Sequence, residues 1–323
     1  MPPFDAVLLI SFGGPQGVDD IRPFLANVLR GRHIPPARVE QVAHHYELFG
    51  GISPLTAYTI KQAEGLRSRL AAAGVPLPVY VGMRNWDPFL KDTLAEMSRA
   101  GVRRAIGFIA AAHGSYSSCQ QYKENVRDAQ RALIEAGREV IDMTYVHGWH
   151  AHDAFVDANA QHVREAMARL PADLASRARL VFTAHSIPVR MAETSRYREQ
   201  LRESAEKVAG RLGWCDWALV YQSRSGRPQD PWLGPDIGEY LRDARAKGVD
   251  AVVLCPIGFV CDHIEVLYDL DIEAASIASG IGLAFARAEA VNDDPLFLDM
   301  MADVVLRTIA RHSSGRPLPF AYN

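Results

Sequence analysis

Short runs of consecutive apolar residues recur along this chain, separated by stretches in which apolar positions return every three or four residues. The runs Asp5–Ser11, Val79–Gly82, Arg104–Ala110, Val140–Val146, Arg179–His185, Ala218–Gln222, Ala251–Pro256 and Ile281–Ala286 have strand length. Their β-branched character suits strands covered on both faces. The amphipathic stretches predict helices near Val18–Arg30, Pro54–Ala73, Pro88–Ala100, Gln120–Ala136, Asp153–Arg169, Arg196–Leu212, Asp236–Ala246, Asp262–Ser279 and Asp294–Arg311. Strand alternating with helix means an α/β protein with parallel sheet. Eight strands divide as four and four, which predicts two similar doubly wound halves, 1–148 and 149–323. The boundary falls in Tyr145–Asp153, and the last helix is free to cross back onto the first half.

In open α/β sheets ligands bind beyond the carboxyl ends of the strands. That rule selects Ser11–Pro15, Gly82–Trp86, His113–Tyr116, His185–Ser186, Gln222–Gly226 and Cys255–Glu265. His185 stands where the apolar strand Arg179–Ala184 runs out, with Ser186 available to orient it and Pro188 ending the regular structure. The segment after Val252–Val260 begins a helix in which Glu265, Asp269 and Glu273 follow one another at i, i+4 and i+8. On an α-helix these drift by only about 80°, so they form one acidic ladder, with Asp262 just ahead of it. Each feature has a bland alternative: a structural histidine, or a solvated acidic face. Like charges four apart oppose helix formation, which argues against the second. A neutral imidazole facing a carboxylate suits a borderline divalent metal such as Fe(II).

Composition narrows the field. The 323 residues exceed the size at which one core usually keeps growing, and 48% hydrophobic with 23% charged residues is ordinary for a globular protein. A net charge of -3 provides no basic field for nucleic acid. No apolar run approaches the roughly 20 residues that span a bilayer. The opening Met1–Asp5 lacks a basic-then-apolar signal, so a cytoplasmic location without integral membrane contact is expected. Cys119, Cys215, Cys255 and Cys261 include no CxxC pair, so buried thiols are expected rather than a zinc site or an iron–sulfur cluster. Gly13–Gly17 does not fit GxGxxG, and His185-Ser186 lacks a GxSxG elbow, which disfavours nucleotide binding and hydrolysis. Arg30–Ser53 is polar and partly basic, through Arg30, Arg32, His33, Arg38, His44 and His45. It reads as a solvated helix pair or as a lid offering donors to a polycarboxylate, with Ser53 as the next helix's N-cap. Ser225–Asp236 reads as a rigid Pro/Gly-rich connection into a helix capped near Pro235-Asp236.

Taken in order, Ser11-Phe12-Gly13-Gly14-Pro15, His45-Tyr46, Gly50–Leu55, Ala184-His185-Ser186-Ile187-Pro188, Tyr221-Gln222-Ser223, Asp230–Asp236 and Gly258–Asp271 resemble the ferrochelatases, bacterial and of the actinobacterial type, over nearly the whole chain. The resemblance implies two Rossmann-like, chelatase-type halves with a cleft between them, and insertion of ferrous iron into a porphyrin. It implies His185 and Glu265 as the pair at the porphyrin centre and as metal ligands. Ser53 and Tyr122 match macrocycle- or propionate-contacting positions, as do His45 and Tyr46, and Arg30 lies near another. Asp269 and Glu273 match an acidic line for protons or metal. Phe12 stands where some bacterial members carry a tyrosine, so no axial phenolate is expected. No cysteine follows Cys261, so no [2Fe-2S] cluster is expected and no cofactor beyond the iron substrate. The polar Arg30–Ser53 region and the absence of a visible apolar lip favour coproporphyrin III, yielding coproheme, over protoporphyrin IX. The partners expected are porphyrin and ferrous iron, with a monomeric protein. A chelatase for another metal and tetrapyrrole, or a non-catalytic haem carrier, are the competing readings.

Overall fold

The structure is a computed structural model that describes residues 3–31, 34–226 and 229–314. Arg32 and His33 of the basic stretch, and Arg227-Pro228 of the Pro-rich connection, lie outside the described residues. Every position of Ala6–Ser11 and of Ala251–Cys255 is buried, as unbroken apolar runs require when helices cover both faces of a sheet. The chain divides into two compact units: Met1–Ala110 with Cys119–Trp149 and Leu298–Asn323, and Ala111–Ser118 with His150–Phe297.

In the first unit, β1 (Ala6–Ser11), β2 (Val79–Met83), β3 (Arg104–Ile109) and β4 (Asp142–Tyr145) form a parallel sheet in the order β2-β1-β3-β4. In the second, β5 (Arg179–His185), β6 (Trp217–Gln222), β7 (Ala251–Cys255) and β8 (Ala284–Arg287) form another, β6-β5-β7-β8, also parallel. The two orders are the same. In each, the chain reverses its direction of growth between the first and third strands, at β1/β3 and at β5/β7. Ligands enter such sheets at that reversal, beyond the carboxyl ends. Fully buried Phe182 of β5 meets Trp217 at 5.6 Å, edge to face, and one such burial contributes about 2–3 kcal/mol.

Several boundaries differ from the sequence pattern. The stretch Val18–Arg30 is a 3₁₀ turn, Val18–Asp20, followed by a helix only over Ile21–Val28. Arg30–Ser53 holds one helix, Pro36–Glu47, not two, among the described residues. β8 starts at Ala284, three residues later than the apolar run, because Ile281 and Leu283 still donate to carbonyls of the preceding helix. The final helix, Pro295–Ser313, sets Asp299 against Arg69 and His312 against the ring of Phe4, both in the first unit. Among the described residues no helix is long and apolar enough to cross a membrane. Val18, Leu48 and Ile52 are each about half exposed, and Gly51 packs directly on the Val18 backbone.

Candidate active site

In the second unit, His185 and Glu265 come together. β5 carries His185 to its carboxyl end, where it pairs in register with Gln222 of β6. Its Nδ1 lies 2.5 Å from the Ser186 carbonyl oxygen. A carbonyl only accepts, so Nδ1 carries a proton, and in that tautomer of the imidazole the Nε2 lone pair is the one left bare. That Nε2 faces Oε2 of Glu265 at 3.7 Å, with both side chains partly open to solvent. Two acceptors held this way call for a proton or a cation between them. The Ser186 hydroxyl takes no part in orienting the ring, since it donates to the Leu233 carbonyl at 2.8 Å. The Tyr197 hydroxyl instead holds the His185 carbonyl at 3.0 Å. The strand ends at His185, and Pro188 caps the start of a short helix, Val189–Glu193.

The loop after β7 reaches this strand end through Gly258, whose amide donates to the Thr183 carbonyl at 3.0 Å. A Cβ there would stand 2.5 Å from that of Ala184, so only glycine permits the approach. The helix then begins at Ile264, with His263 as its cap: Nδ1 accepts from the Val266 amide at 3.3 Å. Burial keeps His263 below its usual range. Asp262 is not part of the ladder. It is buried against Arg287 Nη1 at 2.7 Å and Asn292 Nδ2 at 2.9 Å, while Asp271 takes the other side of the same guanidinium at 2.6 and 2.7 Å.

Beyond Val266 the helix is not α. Leu267–Ala274 is π-helical, closing its turns five residues apart. Asp269 and Glu273 fall within this segment and Glu265 just ahead of it, near enough for the charges of Glu265 and Glu273 both to act on Asp269. Asp269 is the guarded member. The Ser223 hydroxyl donates to its Oδ2, and Gln222 Nε2 lies 3.4 Å from the same oxygen. Burial, reinforced by the charges of Glu265 and Glu273, pushes its carboxyl up to about 7 against those two hydrogen bonds. Ser223 holds a left-handed backbone, φ 59, rare outside glycine and a sign of local strain at a site.

The other expected residues lie in the first unit. Ser53 starts the helix Pro54–Ala72 as its cap residue but makes no capping bond with its side chain. It is buried beneath the loop after β1, with its amide on the Pro15 carbonyl at 2.9 Å and its Cβ filling the space where one on Gly14 would go. Tyr46 is buried with its ring 5.6 Å from Phe24, and Phe24 in turn contacts Phe12 and Trp86. His45, next to it, is pushed below its usual range by burial and then by Arg38 and His44. Arg30 is exposed and donates to Asn27 at 2.7 Å. Tyr122, buried in the helix Gln121–Glu135, lies under the guanidinium of Arg84, 4.7 Å from its ring. Arg84, Ser223, His263 and Tyr197 adjoin these residues and were not singled out individually by the sequence pattern.

Comparison with known proteins identifies the family. The family model described as ferrochelatase matches residues 4–309. A coproporphyrin III ferrochelatase of Nocardia farcinica is 46% identical over 309 residues, covering 93% of this chain and 87% of the relative. One from Mycobacterium marinum is 47% identical over 297 residues, covering 91% and 84%. A protein of Rhodopirellula baltica named ferrochelatase is 43% identical over 312 residues, covering 96% and 88%. Among solved structures, SirB from Bacillus subtilis with Fe3+ matches with a TM-score of 0.58 at 10% identity, covering 96% of this chain and 97% of that one, a likeness of fold alone.

Proposed function

We infer from the ferrochelatase family, to which this chain belongs, that it is an enzyme inserting ferrous iron into coproporphyrin III to give coproheme. The naming of relatives at about 45% identity over most of the chain as coproporphyrin III ferrochelatases carries the choice of porphyrin. The polar, partly basic Arg30–Ser53 region points the same way.

The chemistry asks for two pyrrole protons to leave as one Fe(II) enters. In this reading the Nε2 lone pair that the Ser186 contact leaves bare on His185 first holds the incoming iron and, once the iron has passed to the ring nitrogens, takes up one of the two pyrrole protons. Glu265 Oε2, 3.7 Å away, completes a two-sided grip on the ion. Metal bonds of about 2.1 Å from each span at most about 4.2 Å, so one ion fits on a bent path between them. Asp269, held near neutrality by its surroundings, takes protons from the Glu265 side and releases them along Glu273 at little cost. Ser53, Tyr122, His45, Tyr46 and Arg30 are the proposed porphyrin contacts. Binding energy collected there would hold the ring non-planar and expose its nitrogens.

Anaerobic mixing of enzyme, Fe(II) and porphyrin, followed by the metalloporphyrin absorption bands, tests this. His185→Ala is expected to lose about 100-fold or more in turnover and Glu265→Gln about tenfold or more. Near-normal rates in His185→Ala would remove the assignment. Faster turnover of protoporphyrin IX than of coproporphyrin III would reverse the substrate choice.

A further inference from the structure

Arg84 is the residue in the first unit whose chemistry remains unspent. It follows β2 directly, at the carboxyl end of the sheet, beside Phe12 at the end of β1. Its amide donates to the Ser11 carbonyl at 3.1 Å, and the next amide, of Asn85, donates to the Phe12 carbonyl at 3.0 Å. Both backbone bonds fix the turn. The guanidinium is then held from three sides. Nε donates to Asn125 Oδ1 at 2.6 Å. The Tyr122 ring lies 4.7 Å below the central carbon, and the Phe12 ring 5.7 Å away. These contacts orient the fork and strip part of its hydration without neutralising it. Among the described residues no carboxylate pairs with Arg84.

A partly buried guanidinium, fixed in direction and lacking a counter-charge, pays a desolvation cost that an arriving anion returns. Asn125 takes Nε and the Tyr122 side chain takes a further hydrogen bond from the guanidinium, which leaves the rest of its five-donor fork for a carboxylate. The walls beside it are aromatic: Tyr122 and Phe12, the latter backed by Phe24 at 6.2 Å. Such walls suit a flat conjugated ligand that carries the carboxylate on a short arm. A small free anion would gain the charge contact and nothing from the rings.

We propose that Arg84, aimed by Asn125 and backed by Tyr122 and Phe12, binds one carboxylate of the porphyrin substrate. This rests on the porphyrin reading above and adds a binding residue to it. A titration by porphyrin fluorescence tests it, with coproporphyrin III and its tetramethyl ester carried in neutral detergent as the two ligands. Arg84→Met is expected to raise the Kd for the acid about tenfold, about 1.4 kcal/mol, and to leave that for the ester unchanged. Asn125→Leu keeps the charge but releases its direction, and is expected to weaken acid binding by about threefold and ester binding not at all. A folded Arg84→Met protein that binds the acid as wild type does would overturn the assignment, as would equal losses for acid and ester. If Arg84→Met does not fold, unchanged acid binding by Asn125→Leu overturns it. Wild-type enzyme that neither binds nor metallates porphyrin would instead bring down the proposed function.

Discussion

Asp269→Asn should make the protein more stable, and more so as the pH rises. The carboxyl of Asp269 is raised from 3.8 to about 7, first by burial and then by the charges of Glu265 and Glu273. The folded state therefore holds a proton that the unfolded chain has released above pH 3.8. As the pH climbs from 3.8 towards 7, folding loses stability through this group, and above about 7 the loss is complete. At 1.36 kcal/mol per pH unit, the full loss is about 4 kcal/mol, of which about 3 kcal/mol accrues between pH 5 and pH 8. Asparagine has nearly the same shape, still accepts from the Ser223 hydroxyl, and never ionises. Its extra N–H donors cost on the order of 1 kcal/mol if unpaired, equally at every pH. Urea unfolding of both proteins from pH 5 to pH 8 isolates the growing difference. A stability difference that stays constant across this range would refute the account of Asp269 as a buried, repelled carboxyl.

Arg287→Met leaves buried Asp262 without its cation and should cost about 3–5 kcal/mol in urea unfolding, much of it recovered when Asp262→Asn is added. A loss below 1 kcal/mol would mean that the ion pair is not buried as described. Gly258→Ala forces a methyl to within 2.5 Å of Ala184 Cβ, which should cost about 1–3 kcal/mol and displace the adjoining His185. Iron insertion at a temperature where the variant remains folded should then fall; an unchanged rate would show that the approach of the two segments does not set the site.

The repeated strand–helix rhythm made the fold legible, because parallel strands buried on both faces leave continuous apolar runs that few other structures produce. His185 was legible for the same reason: it interrupts such a run at its carboxyl end. The helix after β7 was harder. Asp262 looks like a better cap than His263, but it is drawn away by Arg287, a residue distant in sequence whose pairing no local pattern displays. The π-helical turn has no periodicity cue, since an apolar pattern over eight residues fits both forms. Arg84 stood within one of the six strand-end stretches that the sheet rule selects, and only the convergence of Asn125, Tyr122 and Phe12 on its guanidinium gives it a chemical identity.

The wide winding of Leu267–Ala274 makes the position of the three carboxylates a matter of spacing as much as of residue type. Shortening the chain by one residue between Asp269 and Glu273 would swing Glu273 round the axis by roughly a quarter of a turn. All three acids would survive such a deletion, yet they would no longer be aligned. A drift in length here is thus more damaging than many exchanges of side chain, and a sequence that kept every acid could still lose the ladder.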